Sequence, residues 1–104
     1  MTSIEQTWRY HVIGDGPGQV VHLAGEFDML AADAMEDLLV SAAADGPLVV
    51  DLGAVTFIDS CGIRALIAAH NAARGAGHPY SLANATGQPR RVLSMAGVLD
   101  LGSI

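Results

Sequence analysis

Lysine is absent from this chain of 104 residues, and the five basic side chains are all arginines, set against eleven Asp and Glu. That absence excludes a phosphate-gripping P-loop, which needs a Gly-Lys-Ser/Thr step. With a formal net charge of −6 and no cluster of cations, the sequence also argues against non-specific binding to nucleic acid. An acidic domain more readily meets a basic or apolar protein surface. Cysteine occurs once, as Cys61, which excludes an intrachain disulfide and fits a reducing compartment. No apolar run approaches the roughly 18 residues of a membrane span, and the first residues lack the charged-then-apolar pattern of a signal peptide. The expectation is a soluble, cytoplasmic protein with no membrane partner. Charged residues are scarce at 15%, against 51% hydrophobic, which excludes a disordered tail or a coiled coil.

What remains is one domain spanning 1–104, of a size that removes roughly two-thirds of its unfolded surface from water. Trp8 to Ile13 and Gln19 to Leu23 each alternate with period near two, and Gly14-Asp15-Gly16-Pro17-Gly18 lies between them. This pattern predicts a β-hairpin. Gly25-Glu26-Phe27-Asp28 ends the second strand, and Asp28 can cap the helix that follows. A helix is predicted over 29–44, with Leu30, Ala34, Leu38 and Ala42 as its inward stripe and Met35 and Leu39 beside them. Gly46-Pro47 stops it, and the apolar run Leu48 to Leu52 predicts a strand buried on both faces. After a short loop, a second helix is expected from about Gly62 to Arg74, turning Ile63, Leu66, Ile67 and Ala73 inward and Arg64, Ala68 and Asn71 outward. Tyr80 to Ala83 reads as a short strand. Pro89 begins a third helix that reaches Met95 and stops at Gly97, and an extended segment is expected over 98–104. The order ββαβαβα predicts an α/β fold: a mixed sheet with an N-terminal hairpin and helices packed on it through right-handed crossovers.

Most candidate chemistry dissolves on inspection. Asp59-Ser60-Cys61 is not a nucleophile elbow, since Ile58 stands where a glycine is required. Cys61 and His70 share one helix two to three turns apart and do not form a thiol–imidazole pair. His11, His22, His70 and His78 show no metal-ligand spacing. The Gly14-x-Gly-x-Gly run precedes a strand rather than a helix, so it reads as a turn and not a dinucleotide loop. No enzyme, metal site or cofactor follows from these residues. Arg90-Arg91 near the start of the third helix is either a solvated basic pair or a contact to an acidic group. Asp59 and Ser60 stand together at the start of the second helix, where serine and aspartate ordinarily serve as caps. A helix needs only one of them, which leaves the other free. A phosphate on Ser60 would sit at the positive end of the helix, where backbone N–H groups favour an anion. Gly62, costly in a helix, suggests close approach by another backbone.

Gly25-Glu26-Phe27-Asp28, Val50-Asp51-Leu52, Phe57-Ile58-Asp59-Ser60-Cys61-Gly62-Ile63 and Gly97-Val98-Leu99 together resemble the STAS domain, in particular the bacterial anti-sigma factor antagonists. The resemblance spans nearly the whole chain and implies a single STAS-type domain. It implies that Ser60 is phosphorylated by an anti-sigma factor that is itself a serine kinase. The unphosphorylated form would bind that kinase and release the sigma factor, and a phosphoserine phosphatase would restore binding. The implied docking surface comprises Asp28, Phe57, Asp59, Ser60, Cys61, Gly62, Arg64, Ala68 and Asn71, with Arg90 and Arg91. Cys61 stands where the family often has Ser or Thr. It is either a small half-buried side chain or a redox handle. In the family a further helix usually follows; the expectation here is that it is short or absent, so that the edge of the last strand would be covered in another way, such as by a weak homodimer. The alternative within the same family is a constitutive scaffold, as in stressosomes or the cytosolic subunits of lipid transporters.

Overall fold

The computed structural model describes residues 8–14 and 18–99. Strands β1 (Trp8–Ile13) and β2 (Gln19–Phe27) lead into helix α1 (Met29–Asp45). Strand β3 (Leu48–Ile58), helix α2 (Ser60–Ala76), strand β4 (Tyr80–Ala83) and helix α3 (Gly87–Met95) follow. The expected order ββαβαβα is therefore observed. The sheet runs β1-β2-β3-β4, with β1 antiparallel to β2 and the other neighbours parallel. The hairpin pairs Tyr10 with Leu23 and Val12 with Val21. Its turn residues 15–17 lie outside the described residues.

Period-two alternation decides which face of the sheet is covered. Val21, Leu23 and Phe27 of β2, with Leu48, Val50 and Leu52 of β3, are buried and point to the side where Met35, Leu39, Ala65, Leu66 and Ala69 of α1 and α2 close the core. The opposite face carries His22 and Asp51, register partners whose Nδ1 and Oδ2 lie 2.8 Å apart. The N–H of Gly53 and the amide of Asn84 also donate to Oδ1 of Asp51, at 2.8 and 3.2 Å. The Gly53 hydrogen bond, foremost among these, holds the Asp51 carboxyl below the usual carboxylate range. Tyr80 starts β4 buried, and its hydroxyl donates to the carbonyl of Leu66 at 2.9 Å. Burial pushes that phenol far above its ordinary titration range.

Four expectations need correction. The buried stripe of α1 is Ala31, Met35, Leu39 and Ala43, while Leu30 is 86% exposed. In so alanine-rich a helix two adjacent i, i+4 rows look alike in sequence, and only packing chooses between them. β3 does not stop at Leu52 but reaches Ile58. The register slips between His22 and Ala24 and again between Gly25 and Glu26, so bulges absorb the Gly53-Ala54 interruption. β3 is also not buried equally on both faces, since Val49 and Asp51 are only half-buried. Finally, Val98 and Leu99 form no strand, and residues 100–104 lie outside the described residues.

Candidate functional site

The parallel strands β2 and β3 deliver α1 and α2 to the same end of the sheet. The N–H of Asp59 donates to the carbonyl of Phe27 at 3.3 Å, so the two strand-to-helix junctions are joined. Each junction places an aspartate in extended conformation immediately before its helix. Oδ1 of Asp28 accepts the N–H of Leu30 at 3.0 Å. Oδ1 of Asp59 accepts the N–H groups of Cys61 and Gly62 at 2.9 and 3.2 Å. Both carboxylates thus satisfy orphan donors of the first turn. Gly25 supports this end with a backbone that other residues rarely adopt (φ 99°). Phe27 then buries its ring against Trp8, with centroids 5.6 Å apart.

With Asp59 acting as cap, Ser60 becomes the first residue of α2 and is exposed. The helix therefore begins two residues earlier than expected. The N–H groups at Cys61 and Gly62 are already engaged by Asp59. An anion on Ser60 would meet the helix dipole but also a neighbouring carboxylate, and those two donors would not be free for it. Gly62 is buried, and its role differs from the expected one. A Cβ there would come within 2.5 Å of Cγ1 of Ile58 and 2.8 Å of the Phe27 carbonyl oxygen. The backbone that approaches Gly62 is the chain's own.

The exposed face of α2 carries Ser60, Arg64, Ile67 and Asn71, positions separated by four, three and four residues and hence on one side of the helix. Ala68 is half-buried beside them, as is Cys61 at the first turn. Ile67 was expected inside but is 37% exposed. Phe57, 38% exposed, stands at the end of β3. The side-chain amide of Gln88 bridges both backbone groups of Ile58, accepting its N–H at 3.0 Å and donating to its carbonyl at 2.9 Å. That bridge fastens the first turn of α3 two residues before Ser60. Arg90 and Arg91 are exposed on this helix, two residues deeper into it than expected because α3 starts at Gly87. Sequence reasoning missed Met29 and Leu30, 70% and 86% exposed, which project from the first turn of α1 at this same end. The usable signal was their position directly after a capping aspartate, where the helix has only just left the sheet.

A family model described as Mlab, STAS domain, matches residues 12–103. The chain belongs to the STAS family. An anti-sigma factor antagonist from Mycobacterium paratuberculosis is similar at 30% identity and a TM-score of 0.78, covering 95% of this chain and 85% of that one. The anti-sigma factor antagonist SpoIIAA in its unphosphorylated form shares the fold, with 18% identity, a TM-score of 0.77 and coverage of 89% of this chain and 84% of that one. The murine anion transporter Slc26a9 contains the same fold within a larger chain, at 20% identity and a TM-score of 0.67, covering 82% of this chain and 14% of that one. No protein of curated function matches the sequence. Among the described residues of this STAS domain, no helix is long and apolar enough to cross a membrane.

Proposed function

We propose that this STAS domain is a cytoplasmic anti-sigma factor antagonist controlled by phosphorylation of Ser60. In the unphosphorylated state it docks on an anti-sigma factor serine kinase and frees the sigma factor. Phosphate on Ser60 breaks the complex, and a phosphatase restores it. One observation carries the reading: Asp59 caps α2, and Ser60 is exposed, its hydroxyl without a hydrogen-bond partner among the described residues. The docking surface is the ring around it, formed by Phe57, Arg64, Ile67, Ala68 and Asn71, the first turn of α1 at Met29 and Leu30, and Arg90 and Arg91. Asp28, Asp59 and Gly62 shape that surface from within, and Cys61 lies half-covered at its edge. The fold is also that of the Bacillus protein SpoIIAA in its phosphorylated form, with a TM-score of 0.70, which supports a modification that leaves the architecture intact.

Phosphate adds about −1.5 to −2 charge. A partner seated over Ser60 would have to strip water from it, and an unpaired buried charge costs several kcal/mol. The test is to incubate the protein with ATP and an anti-sigma factor serine kinase of the same organism. Ser60→Ala should dock as the parent does and take up no phosphate, and Leu30→Ser should fold normally but dock more weakly. Equal labelling of the Ser60→Ala protein would refute the assignment.

The recurrence of the fold inside an anion transporter favours a second reading, a scaffold subunit that binds its partner without phosphate turnover. Recovery of a transporter ATPase, rather than a kinase, in a pull-down would select it.

A further inference from the structure

A second surface lies along the outer edge of the sheet, away from Ser60. Tyr10 and Val12 of β1, 51% and 38% exposed, form one side of an open groove of roughly 520 Å³, whose other side is Leu38, Ala42, Asp37 and Asp45 of α1. Among the described residues, no strand pairs with the outer edge of β1. Natural sheets usually protect such an edge with lysine, proline or an inward charge, and the described β1, WRYHVI, offers none of these on its groove side. Helix α1 carries Asp33, Glu36, Asp37 and Asp45 and no basic residue. Asp45 ends the helix, where the dipole already disfavours a negative charge. No arginine of β1 turns into the groove, because Arg9 alternates to the opposite face from Tyr10 and Val12.

We infer that this groove binds an extended, arginine-bearing segment of another protein, which adds a strand to the β1 edge. The spacing is specific. Asp37 and Asp45 are eight helical residues apart, about 12 Å along the axis. Four residues of extended chain span about 13 Å and return the side chain to the same face. Two arginines four apart on the incoming strand therefore reach both carboxylates, and the Tyr10 ring offers a face to the nearer guanidinium. The strand backbone supplies hydrogen bonds, and the alternate side chains supply selectivity. A second copy of this chain is a poor occupant, since each copy carries net charge −6 and its own β1 turns no cation into the groove. Residues 1–7 and 100–104 are poor occupants by charge, since they contain Glu5 and Asp100 and no arginine.

The probe is a fluorescein-labelled peptide, TVRVTVRVT, titrated into the full chain at low salt and followed by anisotropy and by backbone amide shifts. The peptide should saturate, shift the amides of β1 and α1, and weaken steeply as salt rises. TVEVTVEVT should not bind. The Asp37→Asn/Asp45→Asn double variant, altered only at exposed positions, should bind the arginine peptide roughly three- to tenfold more weakly, while Ser60→Ala should bind as the parent does. That last arm keeps the result separate from the phosphorylation reading. Equal affinity in the double variant, shifts confined to other elements, or a dimer that pairs through β1 in sedimentation and relaxation measurements would each overturn the proposal.

Discussion

Replacing Gly62 with alanine separates two roles for that glycine, a seat for a partner or a seat for the chain itself. The added methyl would press on Cγ1 of Ile58 at 2.5 Å and on the Phe27 carbonyl oxygen at 2.8 Å. Neither neighbour yields easily. The Phe27 carbonyl accepts the Asp59 N–H, and both backbone groups of Ile58 are held by Gln88. Overpacking of this kind costs about 1–3 kcal/mol. Contacts this short belong to the upper part of that range, about 2–3 kcal/mol, and alanine regains up to about 1 kcal/mol of helix propensity, so the net loss should be about 1–2 kcal/mol. Gly75 is the internal control, because a Cβ there meets nothing within 4 Å, and Gly75→Ala in the same helix should gain a few tenths to 1 kcal/mol. Urea unfolding followed by circular dichroism reads both. At a slope of about 1–2 kcal/mol/M, the midpoint of Gly62→Ala should fall by about 1 M, and that of Gly75→Ala should hold or rise. If Gly62→Ala proves as stable as Gly75→Ala but loses its partner, the internal-packing argument is wrong and the glycine serves docking.

Two further outcomes follow from buried and paired groups. Tyr80→Phe removes the hydroxyl that donates to Leu66 at 2.9 Å and should cost about 1 kcal/mol, a Tm lower by about 5 °C; an unchanged Tm would show that this bond is worth nothing net. Asp51 is held below its ordinary range chiefly by the Gly53 N–H, so its contribution is complete above about pH 4 and is lost as pH falls through the depressed value. Asp51→Ala should therefore be less stable than the parent at pH 7 and converge with it at acid pH in thermal melts, and a gap that stays constant with pH would contradict this account.

The features legible in the sequence were those fixed by local chemistry. Asp28 and Asp59 announced two helix starts because a capping carboxylate acts within three residues. The hairpin announced itself because alternation and turn residues are both local. What stayed hidden depended on choices among near-equal local options. The rows Leu30-Ala34-Leu38-Ala42 and Ala31-Met35-Leu39-Ala43 differ by one residue, and the first contains more leucine. The second won because it places Met35 and Leu39 over the sheet, which left Leu30 outside. Likewise Gly53-Ala54 reads as a loop until β2 supplies a strand long enough to pair across it. Gly62 was legible as a site of close approach, but the sequence could not say which backbone approached.

If Ser60 is the phosphoacceptor, as proposed, these geometries would let one surface change its charge without changing its shape. A phosphate of charge near −2 a few ångströms from the Asp59 carboxylate would be repelled by about 1–2 kcal/mol in water. The helix dipole returns about 0.3–1 kcal/mol. Arg64, one turn along the same face, returns a few tenths more, as i, i+4 pairs do. These terms nearly cancel while the site is wet, so the folded state registers little. Cover the site, and the balance fails: the attraction of a dipole and one arginine does not replace the hydration of a dianion. The asymmetry arises because Asp59 already occupies the N–H groups of Cys61 and Gly62. Had those donors been free, the phosphate could have sunk into the helix mouth and remained compatible with a close-fitting partner. On the proposed reading, a capping aspartate immediately before Ser60 would force a phosphate there to stay in solvent, where it would obstruct docking most.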